Sequence, residues 1–258
     1  MDQLAALLPS GMEPWVAVLL VIASAFTSAL TAAFGIGGGI AMLALMGLFV
    51  PVTSVIPVHG AVQLGSNSGR AWHQRAHVRL DVAKPFILGS VAGAVVGVFL
   101  VVQLPDWLLK LLLGGFILLL TWVKIPGIDR LTTVGLSIAS AGLALLSMLV
   151  GATGPLIAVL LARFFENDRK ALIATSAVAM TTQHLLKIVV FGIAGFAFRE
   201  WLPLIAAMIL SGFVGTVYGT ALLERMPEAT FRKWFRIGIT LLALDLLRRG
   251  LIGLQPQI

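Results

Sequence analysis

Apolar runs of about 20 residues recur along the whole chain, and each is long enough for a helix to cross roughly 30 Å of hydrocarbon. Backbone N–H and C=O groups in hydrocarbon must bond within their own segment, so these runs read as helices. They fall at 15–34, 85–102, 107–123, 131–150, 171–198, 201–223 and 231–247. Between them lie a short apolar piece at 40–50, a polar-dotted run at 52–69 and a second short piece at 156–165. Only 11% of the 258 residues are charged, where a soluble domain carries about 25%. Nothing is left over for a soluble domain. The sequence therefore reads as an all-α polytopic membrane protein, one membrane domain over residues 1–258.

The formal net charge of +7 sits in short loops, above all Arg70, Arg75, Arg79 and Lys84 with His73 and His77. That pattern orients a membrane protein with its basic loops in the cytoplasm, and it does not point to nucleic acid. Lys124 and Arg130 fall on the same side, and Arg248 and Arg249 are read there too. If each short piece dips in and returns, there are eight crossings. Both termini are then cytoplasmic in the cell inner (plasma) membrane. The N-terminus lacks the basic region of a signal peptide, so the first run is read as a retained helix. With no cysteine, thiolate chemistry and cysteine-bound metal are excluded.

The order of segments repeats, with one unit at about 14–124 and a second at about 129–248. Gly35 placed on Gly151 brings Gly38 onto Gly154, Gly39 onto Pro155, Ala61 onto Ala177 and Asn67 onto Gln183. Arg70 then falls one position from Lys187. At a slightly different offset Gly93, Gly97 and Pro105 match Gly215, Gly219 and Pro227. The fold expected is two repeats of four spans, each with a glycine-broken helix or re-entrant segment. Gly93, Gly97, Gly215 and Gly219 are read as close helix packing through small residues.

The breaks at Gly35-Ile36-Gly37-Gly38-Gly39 and Gly151-Ala152-Thr153-Gly154-Pro155 are the most informative feature. Unwound backbone at membrane depth is tolerated only where it is buried in protein or lines a wet cavity. Paired breaks in two halves point to a transporter's binding site. Each short helix would aim free N–H groups and a positive dipole end at an anion. Residues 37–40 and 153–156 are the candidate backbone donors, with Pro155 at a position that needs no N–H.

A polar helix follows each break. His59, Gln63, Asn67 and Arg70 share one helical face. Ser176, Gln183 and Lys187 share another, with Thr175 and His184 close by. Buried amides and cations are costly in a membrane and mark pathways. Lys187 has no charged residue from Ala171 to Leu186 before it or from Ile188 to Phe198 after it. The candidate substrate-binding set is therefore Gly37, Gly38, Gly39, Asn67, Arg70, Thr153, Gly154, Pro155, Gln183 and Lys187. His59, Gln63, Thr175, Ser176 and His184 form a candidate polar path or proton relay, which would couple transport to protons.

Other chemistries find little support. His73 and His77 lack a third metal ligand, and no Asp or Glu lies deep in a span. Gly65-Ser66-Asn67-Ser68-Gly69 has asparagine where a nucleophile elbow needs serine. No phosphate-binding loop is present. No cofactor, metal or nucleic-acid site is expected, and homo-oligomerisation is left open.

Phe34 to Gly39 after a first span, with Gly151 to Pro155 near the middle, resembles the sulfite exporter TauE/SafE family. The likeness runs over about 15–247 and includes the basic loop after the second span. It implies a secondary transporter for sulfite, sulfoacetate, taurine-related organosulfonates or similar organic acids. The reading is thus an alternating-access carrier of a small anion, not an enzyme. An anion channel, or a non-transport membrane enzyme or assembly factor, are the alternatives.

Overall fold

The computed structural model describes residues 8–34, 37–100, 105–123, 131–165, 168–219 and 228–254. Gly35 and Ile36 of the first break, the connection 124–130, Glu166, Asn167 and Pro227 lie outside the described residues. The described residues form ten α-helices and no strand. They are α1 Pro14–Phe34, α2 Gly38–Phe49, α3 Val52–His73, α4 Leu80–Leu100, α5 Asp106–Trp122, α6 Thr133–Val150, α7 Gly154–Ala162, α8 Arg169–Ile193, α9 Phe198–Val214 and α10 Glu228–Leu254. A 3₁₀ turn, Arg75–His77, follows α3, and a π-helical turn, Gly215–Gly219, extends α9.

Local chemistry sets the ends. Thr132 caps α6 through Gly135 N, and Asp168 caps α8 through Ala171 N. Pro51 separates α2 from α3. Both breaks turn on a glycine in the left-handed region, Gly37 at φ 107° and Gly151 at φ 81°, where a side chain would be strained. Gly195, at φ 89°, likewise cuts the run 171–198 in two, and Phe198 begins α9.

Packing fixes the direction of each helix. α4 and α6 run parallel, with Gly89, Gly93 and Gly97 against Ser137, Ala141 and Met148. α1 and α9 also run parallel: Ser211 donates to Val21 O, Ser24 donates to Met208 O, and Gly215 lies on Ala25. α3 and α8 are antiparallel. The Arg79 amide, just beyond α3, meets Thr175 near the start of α8; Gly60 meets Lys187; Val52 and Ile56 share a pocket with Phe191 and Gly195. α5 and α10 are antiparallel, with Trp122 donating to Thr240 and Gly253 against Trp107.

The short helices α2 and α7 do not dip and return. α2 starts at Gly38, packed on Thr27 and Thr31, and ends with Phe49 edge-on to Trp15 at 5.4 Å. It therefore leaves on the face where α1 began. α7 runs the other way, toward the basic loop, where Arg79 donates to Phe164 O at 2.8 Å. One consequence corrects the sequence reading: the first end of α1 and the last end of α10 both lie on the face opposite the basic loop. Arg248 and Arg249 are held locally, and one of their two charges is offset by a single carboxylate. Both pair with Asp245 at 2.7 Å, and Arg249 also caps Leu48 O at the end of α2.

Five helices, α1, α4, α6, α8 and α9, are long and apolar enough to cross a membrane. Their outward faces carry large apolar side chains such as Ile22, Phe26, Leu88, Phe99, Ile138 and Phe213, all exposed. Water would not tolerate that belt, whereas lipid solvates it.

Candidate functional site

The first turns of α2 and α7 meet at one cavity. Gly37, Gly39 and Ile40 come from the first break, and Ala152, Gly154 and Pro155 from the second. α3 adds His59, Gln63, Asn67 and Arg70; α8 adds Met180 and His184; α1 adds Thr31. The volume is about 50 Å³. A water needs roughly 10–15 Å³ on that measure, so the space suits a few waters or one compact ion.

Neither short helix has a side-chain cap at its start. The first intrahelical amides with a partner are Ala41 N to Gly37 O and Ile157 N to Thr153 O. The amides before them are the donors that a helix start leaves open. Gly39 keeps its face free for this approach, since a Cβ there would stand 2.3 Å from Gln63 Nε2. Gly38, by contrast, faces α1, where a Cβ would meet Thr27 O at 1.8 Å.

The α3 face forms a relay of hydrogen bonds. His59 Nε2 donates to Gly39 O at 2.9 Å, which tethers the imidazole to the break. Asn67 Nδ2 donates to Gln63 O, and Arg70 Nη2 donates to Asn67 Oδ1, each at 2.7 Å. The rings of His59 and His184 are 6.0 Å apart. Behind the second break, Thr153 Oγ1 donates to Gln183 Oε1 at 2.9 Å.

Arg70 Nε and Gln183 Nε2 are among the buried polar atoms that have no hydrogen-bond partner, along with the Ser90 and Ser176 hydroxyls and the Nδ1 atoms of His59 and His184. Buried polar atoms are rarely left so without a ligand or water. Among the described residues no Asp or Glu lines the cavity. Among the described residues neither Arg70 nor Lys187 has a carboxylate partner. The site is thus rich in donors and positive charge, which is the chemistry that holds an anion.

Not every residue singled out in the sequence reaches the cavity. Gly38, Thr153, Gln183 and Lys187 stand just behind it. Lys187 is fully buried, and its Nζ donates to Gly151 O at 2.6 Å, capping the end of α6. Thr175 accepts from the Arg79 amide at 3.1 Å, holding the loop before α4. Ser176 is buried away from the cavity. Ile40 lines it as part of the expected donor stretch 37–40, while Thr31, Ala152 and Met180 line it and were not among the candidate site residues. Met180 and His184 are four apart on α8, a spacing visible in the sequence once methionine is counted as lining.

The Thr153–Gln183 bond gives a direct prediction. Thr153→Val should remove the only donor to Gln183 Oε1 among the described residues and lower stability by about 1–3 kcal/mol. A thermal melt of the variant in detergent measures it.

A family model described as Sulfite exporter TauE/SafE matches residues 20–246. No curated relative and no solved structure matches the chain.

Proposed function

As the chain belongs to the sulfite exporter TauE/SafE family, whose members are membrane transporters, we propose that this multi-pass protein carries a small oxyanion by alternating access. Sulfite, an organosulfonate such as sulfoacetate or a taurine-related compound, or a similar organic acid fits the chemistry. The observation that carries this reading is the cavity itself: two helix starts and Arg70 converge on it, and no carboxylate lines it. The open amides of residues 38–40 and 154–156, except Pro155, bind the anion's oxygens, and Asn67 and Arg70 add side-chain donors. Gln183 and Thr153 support the second break, and Lys187 supplies charge from behind it.

Helix directions support an inverted repeat in place of two halves sharing one orientation. The register that puts Gly38 on Gly154 also puts Ala25 on Ala141. Those two alanines receive the matched glycines Gly215 and Gly93, each on the helix of the other half. The matched helices α3 and α8 are antiparallel, as an inverted pair requires. A second, apolar pocket of about 240 Å³ lies at the far end of that pair, lined by Val52, Ile56, Met148, Phe191 and Phe196 among others. His59 and Lys187 sit between the two spaces, as a carrier's occluding layer would. Arg75, Arg79, Lys84, Arg163, Lys170 and Lys233 share the face that the positive-inside rule assigns to the cytoplasm of the inner membrane. The ends of α1 and α10 then face outward.

A thermal-shift series with sulfite, sulfate, methanesulfonate, sulfoacetate and acetate tests the binding claim. A bound anion raises the apparent melting temperature, by an amount that grows with its concentration over Kd. At least one sulfur oxyanion is expected to do so well above acetate; no shift with any of them contradicts the reading.

A further inference from the structure

The charge that Lys187 lends to the site depends on its amine holding a proton. Lys187 is 0% exposed, and its amine donates to a backbone carbonyl, Gly151 O at 2.6 Å. Its stem runs along α3, where a Cβ on Gly60 would lie 3.0 Å from Lys187 Cδ. The amine is one residue from the cavity on one side, because Gly151 precedes the lining residue Ala152, and one turn from it on α8 through His184.

Among the described residues, the groups around it include no acid. α3 presents His59, with Arg70 at the cavity. α8 itself presents His184, with Arg169 and Lys170 at its far end. α2, α6 and α7 carry no charged residue. α4 carries Asp81 and Lys84 in its first turns, where Asp81 is paired with Arg79 at the surface. The turn Arg75–His77 adds only basic residues. An ammonium at this place therefore has no counter-charge while the cavity is empty, and a charge buried without a partner is strongly disfavoured. An anion in the cavity supplies that partner.

Building on the carrier reading above, we propose that Lys187 is a proton-binding site tied to the anion, so that one proton travels with each anion. The lone pair of Nζ takes a proton from water as the anion enters and returns it as the anion leaves. No bond within the anion is made or broken. Coupling of this kind is reciprocal: the anion favours the ammonium, and the ammonium favours the anion. The histidines are less suited to the role. His59 already spends its Nε2 proton on Gly39 O, and a further proton on it adds a second cation beside the amine.

The test uses the full chain in proteoliposomes holding a pH-sensitive dye, with methanesulfonate as the probe because it does not titrate near neutral pH. Inward methanesulfonate is expected to acidify the lumen by one proton per anion. Lys187→Arg, whose side chain stays charged, should keep the anion's thermal shift and lose the acidification. His73→Gln and His77→Gln, at exposed positions outside the cavity, should keep both. Methanesulfonate uptake without acidification in the unaltered protein overturns the proton site and leaves the carrier standing. Acidification that persists in Lys187→Arg, or that disappears in either glutamine variant, also overturns it. An absence of both uptake and thermal shift overturns the carrier reading, and the proton site with it.

Discussion

Replacing Arg70 with glutamine is expected to weaken anion binding by roughly one to two orders of magnitude while leaving the fold intact. Arg70 lines the cavity and is held by Asn67 Oδ1 at 2.7 Å, and its buried Nε lacks a partner. A hydrogen bond to a charged group contributes about 1.5–3 kcal/mol, and about 1.4 kcal/mol is tenfold in affinity. Arg70→Lys keeps the charge but loses the planar fork, so an intermediate loss is expected. Arg75→Gln is the control. That side chain is exposed and stacks over Trp72 at 4.6 Å, and its removal should leave affinity unchanged. A titrated thermal shift for each variant gives the comparison.

The second large effect falls on two glycines that do not line the cavity. Gly93→Ala and Gly215→Ala are each expected to destabilise the protein by about 3 kcal/mol or more, the upper range for overpacking. A Cβ on Gly93 would stand 2.2 Å from Ala141 O, and one on Gly215 would stand 2.0 Å from Ala25 O. Both obstacles are backbone, so no side chain can swing aside and the helix pairs α4–α6 and α9–α1 must separate. Gly115→Ala and Gly142→Ala meet nothing within 4 Å, and alanine's better helix propensity should leave them neutral or slightly stabilised. Melting temperatures of the four variants in one detergent read the contrast. Similar values for all four would remove the close packing from the account.

These glycines show how unevenly the sequence discloses the structure. The small-residue pattern at Gly93 and Gly215 was legible, because only a close approach explains glycine in a long apolar helix. Where the short pieces go was not legible. Ten or so residues are too few for a comfortable span, and length alone does not tell a dip from a one-way return. The contact of Phe49 with Trp15 settles it, and no local pattern encodes that contact. The same blindness affected Arg248 and Arg249, whose shared partner Asp245 offsets one of the two charges, lies one helical turn back and invites no notice in a count of loop charges.

The site divides along similar lines. Positive φ at Gly37 and Gly151, and the shared face of His59, Gln63, Asn67 and Arg70, follow from glycine chemistry and helical spacing. Depth was harder to read. An isolated lysine in an apolar run looks like the charge that meets a substrate, yet Lys187 turns to the buried end of α6 and caps Gly151 O. Arg70, which resembled one more loop cation, reaches the cavity because α3 continues unbroken to His73. Thr175 and Ser176 lie on the same helix as lining residues, but Thr175 holds the loop before α4 and Ser176 is buried away from the cavity.

Counterflow in proteoliposomes tests the central claim most directly. Vesicles containing the protein are loaded with unlabelled sulfonate and given a trace of labelled sulfonate outside. A carrier that binds the anion at one site open to each side in turn predicts saturable uptake, accelerated by the internal pool and largely abolished in Arg70→Gln. Uptake that rises linearly with concentration, ignores the internal pool or survives intact in Arg70→Gln would contradict the account.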